Sequence, residues 1–111
     1  MHDQPSRGSS VAIVGAGSIG VSWAITFIIA GASVRLHDTS KKRLTVARQE
    51  ISERLADLKF YSLVDEPPEQ VFSRLSTETS LEAAISGAEH IQECIPEILA
   101  QKREMFSKLA D

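Results

Sequence analysis

Three glycines follow a short apolar run near the start of the chain. The run, Val11 to Val14, ends in the pattern Gly-x-Gly-x-x-Gly, and an apolar helical pattern begins at once. Gly15 would let the chain turn off a strand, Gly17 would leave room for a phosphate, and Gly20 would let helix and strand pack closely. The amides at the helix start then face an anion, aided by the helix dipole. We therefore predict pyrophosphate binding by the whole loop: Gly15, Ala16, Gly17, Ser18, Ile19 and Gly20.

The residues that follow this loop are needed to interpret it, because a glycine pattern alone is weak evidence for a phosphate site. The helical pattern breaks at Gly31, and a second apolar run from Ser33 to His37 ends in Asp38. Asp38 lies 18 residues after Gly20, close to the ~20 expected for the acid that holds the adenosine ribose. This order predicts a dinucleotide site. The other interpretation is a structural turn of an α/β domain that binds no phosphate.

A basic cluster follows this acid and bears on the choice of cofactor. Lys41, Lys42 and Arg43 lie in the first turn of the next predicted helix, where the helix dipole disfavours cations. They could mark a 2′-phosphate, as in NADP, or form a solvated face. We favour the solvated face, and NAD as the cofactor, because the carboxylate of Asp38 would repel that phosphate.

Strand and helix patterns alternate along the chain, which indicates a parallel sheet with right-handed crossovers. The fold class expected is α/β, a Rossmann-type doubly wound sheet that lacks the C-terminal strands of its domain. The first helix is apolar nearly all round and is expected to be buried, with Trp23 in the core. Residues 1–9 are expected to be a disordered tail, and residues 10–111 the N-terminal portion of a dinucleotide-binding domain. The predicted strands span residues 11–14, 33–37, 75–79 and 88–95, and the predicted helices 18–30, 41–58, 68–72, 80–85 and 97–109.

Composition narrows the classes of function. The chain has 111 residues and a net charge of −3, which suits one globular domain and argues against nucleic acid or an acidic membrane as partner. The single cysteine, Cys94, fits a reducing compartment, and the first ten residues carry no apolar signal segment. We therefore expect a cytoplasmic protein. No pair of histidines has a metal-ligand spacing, and His2, His37 and His90 are expected to be structural.

Two segments together resemble one enzyme family. Residues 11–38, with the segment His90-Ile91-Gln92-Glu93-Cys94-Ile95-Pro96-Glu97, are similar to the 3-hydroxyacyl-CoA dehydrogenase superfamily. The second segment, followed by Lys102-Arg103-Glu104-Met105-Phe106, is especially similar to its lambda-crystallin and L-gulonate 3-dehydrogenase branch.

The resemblance implies roles for named residues. It implies that the glycine loop contacts the pyrophosphate of NAD, Asp38 the adenosine ribose, and Glu97 and Lys102 the nicotinamide half. It implies a parent enzyme, a homodimer in this family, that oxidises a 3-hydroxyl to a ketone. The family's histidine–glutamate pair lies downstream of the matched region, so we expect an N-terminal piece that is inactive alone and no catalytic residue within it.

One departure from the family concerns the substrate. The acyl-CoA branch holds CoA with a serine and a lysine, and the equivalent positions carry Arg54 and Tyr61. This favours a small hydroxy acid, such as a sugar acid or a carnitine-like compound, over an acyl-CoA of fatty acid metabolism. The alternative functions are a stand-alone, non-catalytic NAD(H)-binding module and a crystallin-like structural role.

Overall fold

Four parallel strands form a single sheet with helices packed against it in the computed structural model, which describes residues 7–94. The spatial order of the strands is β3-β2-β1-β4. The strands are β1 (Ser10–Val14), β2 (Ser33–His37), β3 (Leu75–Glu78) and β4 (His90–Glu93), and the helices are α1 (Ser18–Ile29), α2 (Lys41–Phe60), α3 (Pro68–Phe72) and α4 (Leu81–Ile85).

β1 lies in the middle of the sheet and is its most deeply buried strand. Val11, Ala12 and Ile13 are fully buried, because β1 pairs with β2 on one side and β4 on the other. A strand covered on both faces favours an uninterrupted apolar sequence, as the residues of β1 show.

The helices occupy both faces of the sheet. α1 contacts β1, β2 and α2, whereas α4 contacts β1, β2 and β3. The chain passes from β1 to β2 to β3 in one direction and then crosses back to β4, so right-handed connections place α4 on the face opposite α1 and α2. This reversal beside β1 is the doubly wound topology that the sequence predicted.

The element boundaries match the sequence expectations at most positions. α2 begins at Lys41, as predicted, and Ser40 caps it, its hydroxyl oxygen accepting a hydrogen bond from the Arg43 amide. Pro68 is the first residue of α3, also as predicted. The fourth strand is shorter than predicted, because Ala88 donates its amide to Ile85 in the turn that follows α4. The helix predicted over 97–109 lies outside the described residues.

The prediction of a buried α1 is wrong for one stripe of the helix. Trp23 is 38% exposed and Ile19 is 58% exposed, although Trp23 stacks on buried Phe27 with ring centroids 5.4 Å apart. The predicted core position of Trp23 is therefore a half-covered surface position. α2 covers only part of this helix, so the stripe that carries both residues stays open.

The predicted tail over residues 1–9 falls mostly outside the described residues. At its end, the Gly8 amide donates to the Gly31 carbonyl and the Ser9 carbonyl accepts from the Ser33 amide. Across residues 7–94, no helix has the length and apolar character needed to span a bilayer.

Candidate nucleotide-binding site

The glycine loop lies at the carboxyl end of β1, where the strand order reverses. Val14, the last residue of β1, pairs with His37 on one side and with Glu93 on the other. The loop of residues 15–20 therefore opens between the ends of three strands. In open α/β sheets, ligands bind in the crevice at this point.

Gly15 makes the turn that leaves β1. Its φ is +113°, a left-handed conformation that favours glycine. A side chain at this position would overlap the backbone carbonyl of Cys94, which follows β4. The Gly15 amide donates to the His37 carbonyl over 2.8 Å, so the start of the loop is fixed against both neighbouring strands.

Gly17 and Gly20 have opposite surroundings. A Cβ built on Gly17 would have no heavy atom within 4 Å, so open space lies in front of this residue. A Cβ on Gly20 would overlap the carbonyl oxygen of Gly15, because α1 passes close over the loop. Gly20 therefore permits close packing, and Gly17 leaves a cradle that a phosphate can enter.

The first turn of α1 presents amides without a protein cap. Among the described residues, no side chain caps the helix at Gly17, and its first turn carries no acidic residue. Two other helices differ, since Ser40 caps α2 and Ser80 caps α4. Ser18 and Ile19 are exposed. These open amides and the positive end of the helix dipole fit the pyrophosphate of a dinucleotide.

Asp38 joins the end of β2 to the loop. Its Oδ2 accepts a hydrogen bond from the Ala16 amide over 3.1 Å, and its Oδ1 accepts one from the Ser40 amide over 2.9 Å. A carboxylate has about four acceptor sites, so each oxygen keeps a lone pair for a ribose hydroxyl. The structure thus brings together Ala16 and Asp38, which lie 22 residues apart in sequence.

Arg43 also reaches the loop, which the sequence analysis missed. Its Nε donates to the Ala16 carbonyl over 2.6 Å, and its Nη2 lies 3.5 Å from a carboxylate oxygen of Glu50. Lys41 and Lys42 are exposed, as a solvated face requires. That interpretation is wrong for Arg43, because its position near the start of α2 directs it toward the loop. The only signal in the sequence was its place five residues after Asp38.

The remaining candidates that the structure describes lie on the strands or, in the case of Cys94, directly after one. His37 is buried, and its Nδ1 lies 3.0 Å from the Glu78 carbonyl oxygen, whereas His90 begins β4 at the far end of that strand. Burial raises the pKa of the Cys94 thiol. Within residues 7–94, no group of histidines, cysteines and carboxylates could hold a metal ion. Glu97 and Lys102 lie outside the described residues.

A parallel sheet with a glycine loop at its reversal point and an acid at the next strand end defines a Rossmann-type dinucleotide-binding domain. Residues 10–111 match the family described as 3-hydroxyacyl-CoA dehydrogenase, NAD binding domain. The chain belongs to this family, and NAD is the cofactor of such domains, as the sequence predicted.

Individual relatives agree with this assignment. The chain is 39% identical to a lambda-crystallin homolog of Bos taurus, over 94% of this chain and 34% of that protein. It is 32% identical to an L-carnitine dehydrogenase/betainyl-CoA thioesterase of Rhizobium sp, over 91% of this chain and 20% of that protein.

The fold comparison agrees as well. The chain superposes on 3-hydroxybutyryl-CoA dehydrogenase of Escherichia coli with a TM-score of 0.75 and 28% identity, covering 94% of this chain and 22% of that one. In the sequence comparison, the chain spans about a third of the length of the lambda-crystallin relatives it matches.

Proposed function

We propose that residues 15–20 hold the pyrophosphate of NAD and that Asp38 holds the adenosine ribose. The open amide end of α1 at Gly17 is the observation that carries this proposal. It combines free donors, a favourable dipole and space that no protein atom fills. By the family resemblance, Glu97 and Lys102 contact the nicotinamide half.

The parent protein, in this proposal, oxidises a 3-hydroxyl group to a ketone. NAD supplies the hydride acceptor when it is bound. The chain's own residues bind and orient the cofactor: the loop fixes its phosphates, and Asp38 fixes the ribose at the end of β2. The names of the relatives, among them L-carnitine dehydrogenases, support this class of reaction.

We further propose a small hydroxy acid as the substrate, in preference to an acyl-CoA. Arg54 occupies a position where the acyl-CoA branch has a CoA-binding residue, and its Nη1 donates to the Ser22 hydroxyl over 3.2 Å. A cation on this exposed side of α1 suits a carboxylate. The test is turnover by the whole protein, where L-carnitine should be oxidised faster than 3-hydroxybutyryl-CoA.

A cytoplasmic location and a homodimeric parent complete the proposal. The exposed stripe with Ile19 and Trp23 gives apolar surface for further chain or a second subunit to cover. Sedimentation of the whole protein tests the dimer, and fractionation of the cells that produce it tests the location.

Trp23 offers a direct measurement of cofactor binding because it is the only tryptophan in the chain. It lies five residues after Ser18, about 7.5 Å further along α1. Titration with NADH is therefore expected to quench its emission saturably by energy transfer to the nicotinamide. A folded chain whose emission shows no saturable change would contradict the proposed site.

A further inference from the structure

Arg43 is held in place by two acceptors. Its Nε donates to the Ala16 carbonyl over 2.6 Å, and its Nη2 faces the carboxylate of Glu50 over 3.5 Å. The side chain is 34% exposed, and its Nη1 makes no hydrogen bond with any residue that the structure describes. Lys42, its neighbour in sequence, is exposed and has no such contact among the described residues.

Arg43 and Asp38 bind the two backbone polar atoms of one residue. Asp38 accepts from the Ala16 amide, and Arg43 donates to the Ala16 carbonyl. A carboxylate and a guanidinium therefore both reach the same residue of the loop, next to the end of β2, where the proposed site places the ribose. Dinucleotide-binding domains use a carboxylate at this place for a ribose 2′-hydroxyl and an arginine for a 2′-phosphate.

We propose that Arg43 is a specificity-determining residue that binds the 2′-phosphate of NADPH when that nucleotide enters the site. The charge of Asp38 opposes the phosphate and favours NADH, and Glu50 draws the guanidinium away. The preference for NADH is thus a balance between Asp38 and Arg43. This inference rests on the proposed function, since it assumes that Asp38 holds the ribose.

The first test compares the affinities of NADH and NADPH, which differ only in the 2′-phosphate. Trp23 emission gives both dissociation constants for the full chain, for Arg43→Gln and for Lys42→Gln. In Arg43→Gln, the ratio of the NADPH to the NADH constant should rise about tenfold, because a charge-assisted hydrogen bond is lost. Lys42→Gln removes the same charge at an exposed position, so its ratio should stay within about twofold of the unsubstituted chain.

The ratio separates recognition from mere positioning of the loop. If Arg43 only positions Ala16, its substitution weakens both nucleotides equally and the ratio stays unchanged, which would overturn the inference while leaving the NADH site intact. If the unsubstituted chain fails to bind NADH, the proposed function itself is wrong, and the inference falls with it.

The second test removes the opposing charge. Asp38→Asn should lower the ratio by about tenfold or more, since the repulsion of the phosphate is gone. The double variant Asp38→Asn/Arg43→Gln should lose this gain, and equal ratios in the two variants would overturn the inference. Should Asp38→Asn not fold by circular dichroism, Glu50→Gln replaces it. Freeing Arg43 from Glu50 should also lower the ratio, and an unchanged ratio would count against the proposal.

Discussion

Gly17 and Gly20 lie three residues apart in the same loop, yet they answer different physical needs. Gly17 faces open space, whereas Gly20 lies under the carbonyl of Gly15. A side chain at Gly17 would therefore occupy only the space of a ligand. A side chain at Gly20 would displace the protein's own backbone.

The variant Gly17→Val is expected to lose cofactor binding without unfolding. Gly17 has φ −77° and ψ −170°, an extended conformation that valine adopts readily. The valine side chain would fill the phosphate cradle and remove at least two hydrogen bonds to a charged group, so the dissociation constant for NADH should rise about 100-fold or more. Titration of Trp23 measures the loss, and an unchanged Tm shows that the fold is kept.

Gly20→Ala is the matched control, because it is expected to lower the stability of the fold, which Gly17→Val should leave intact. Its methyl group overlaps backbone, so overpacking is expected to lower stability by about 1–3 kcal/mol. Unchanged affinity in Gly17→Val would remove the pyrophosphate from this loop, and an unchanged Tm in Gly20→Ala would contradict the close packing of α1.

The sequence predicted the turn at Gly15 and the close packing at Gly20 because each depends on local geometry. The spacing of Gly15, Gly17 and Gly20 fits one strand–turn–helix unit, and the structure has that unit. The contact of Arg43 with the loop could not be predicted from local geometry. Its contact with Ala16 depends on how α2 leaves the sheet, and a charged side chain in a first turn is usually solvated.

Among the helices and strands, an ion pair of Arg74 connects the segment before β3 to α1. Arg74 binds Glu66 through both of its Nη atoms, and its Nη1 also donates to the Ile28 carbonyl over 2.6 Å. The Ile28 carbonyl also accepts a hydrogen bond from the Gly31 amide, and a cation near the C-terminal carbonyls of a helix is favourable. Arg74 thus connects the C-terminal end of α1 to the loop that precedes α3.

This contact predicts a pH-dependent stability. The hydrogen bond from Arg74 lowers the pKa of Glu66 below its ordinary value of 4.5, so the pair stabilises the fold above that value. The stabilisation by this pair begins to fall when the pH drops below 4.5. It is lost as the pH passes below the lowered pKa of Glu66 in the folded state. Glu66→Gln should therefore lower Tm at neutral pH, and the difference from the unsubstituted chain should shrink in acid.

Glu69→Gln is the control for this measurement. Glu69 is an exposed carboxylate on α3, so its substitution should leave Tm nearly unchanged at every pH. A Tm difference for Glu66→Gln that persists undiminished in acid would show that the charge of Glu66 is not what stabilises the segment.

The apolar pattern of α1 does not predict which side of the helix is buried. Its residues are apolar on nearly every side, which is typical of a buried helix. The structure buries Ala24, Ile25 and Ile28 but leaves Ile19 and Trp23 accessible. Periodicity reveals how much of a helix is apolar, but the neighbouring elements decide which apolar stripe they cover.

For the molecule as a whole, the described structure contains a cofactor site without an acid–base pair. The chain has three histidines. Among the described residues, His37 contacts a backbone carbonyl and His90 lies against the Gln92 side chain and the Phe27 ring. Neither histidine pairs with a carboxylate there, although removal of a proton from a hydroxyl commonly requires an oriented base. We therefore expect this chain to bind the cofactor without turning over a substrate.

We expect the 111-residue chain to bind NADH and to catalyse no oxidation. The measurement pairs the Trp23 titration with the absorbance of NADH during incubation with NAD and either L-carnitine or 3-hydroxybutyryl-CoA. Saturable quenching with no NADH formed is the predicted result, because the proposed cofactor loop and Asp38 lie in this chain, whereas no histidine within residues 7–94 pairs with a carboxylate. NADH formation by this chain, abolished in Gly17→Val, would show that it carries a complete active site, since that variant excludes a contaminating enzyme.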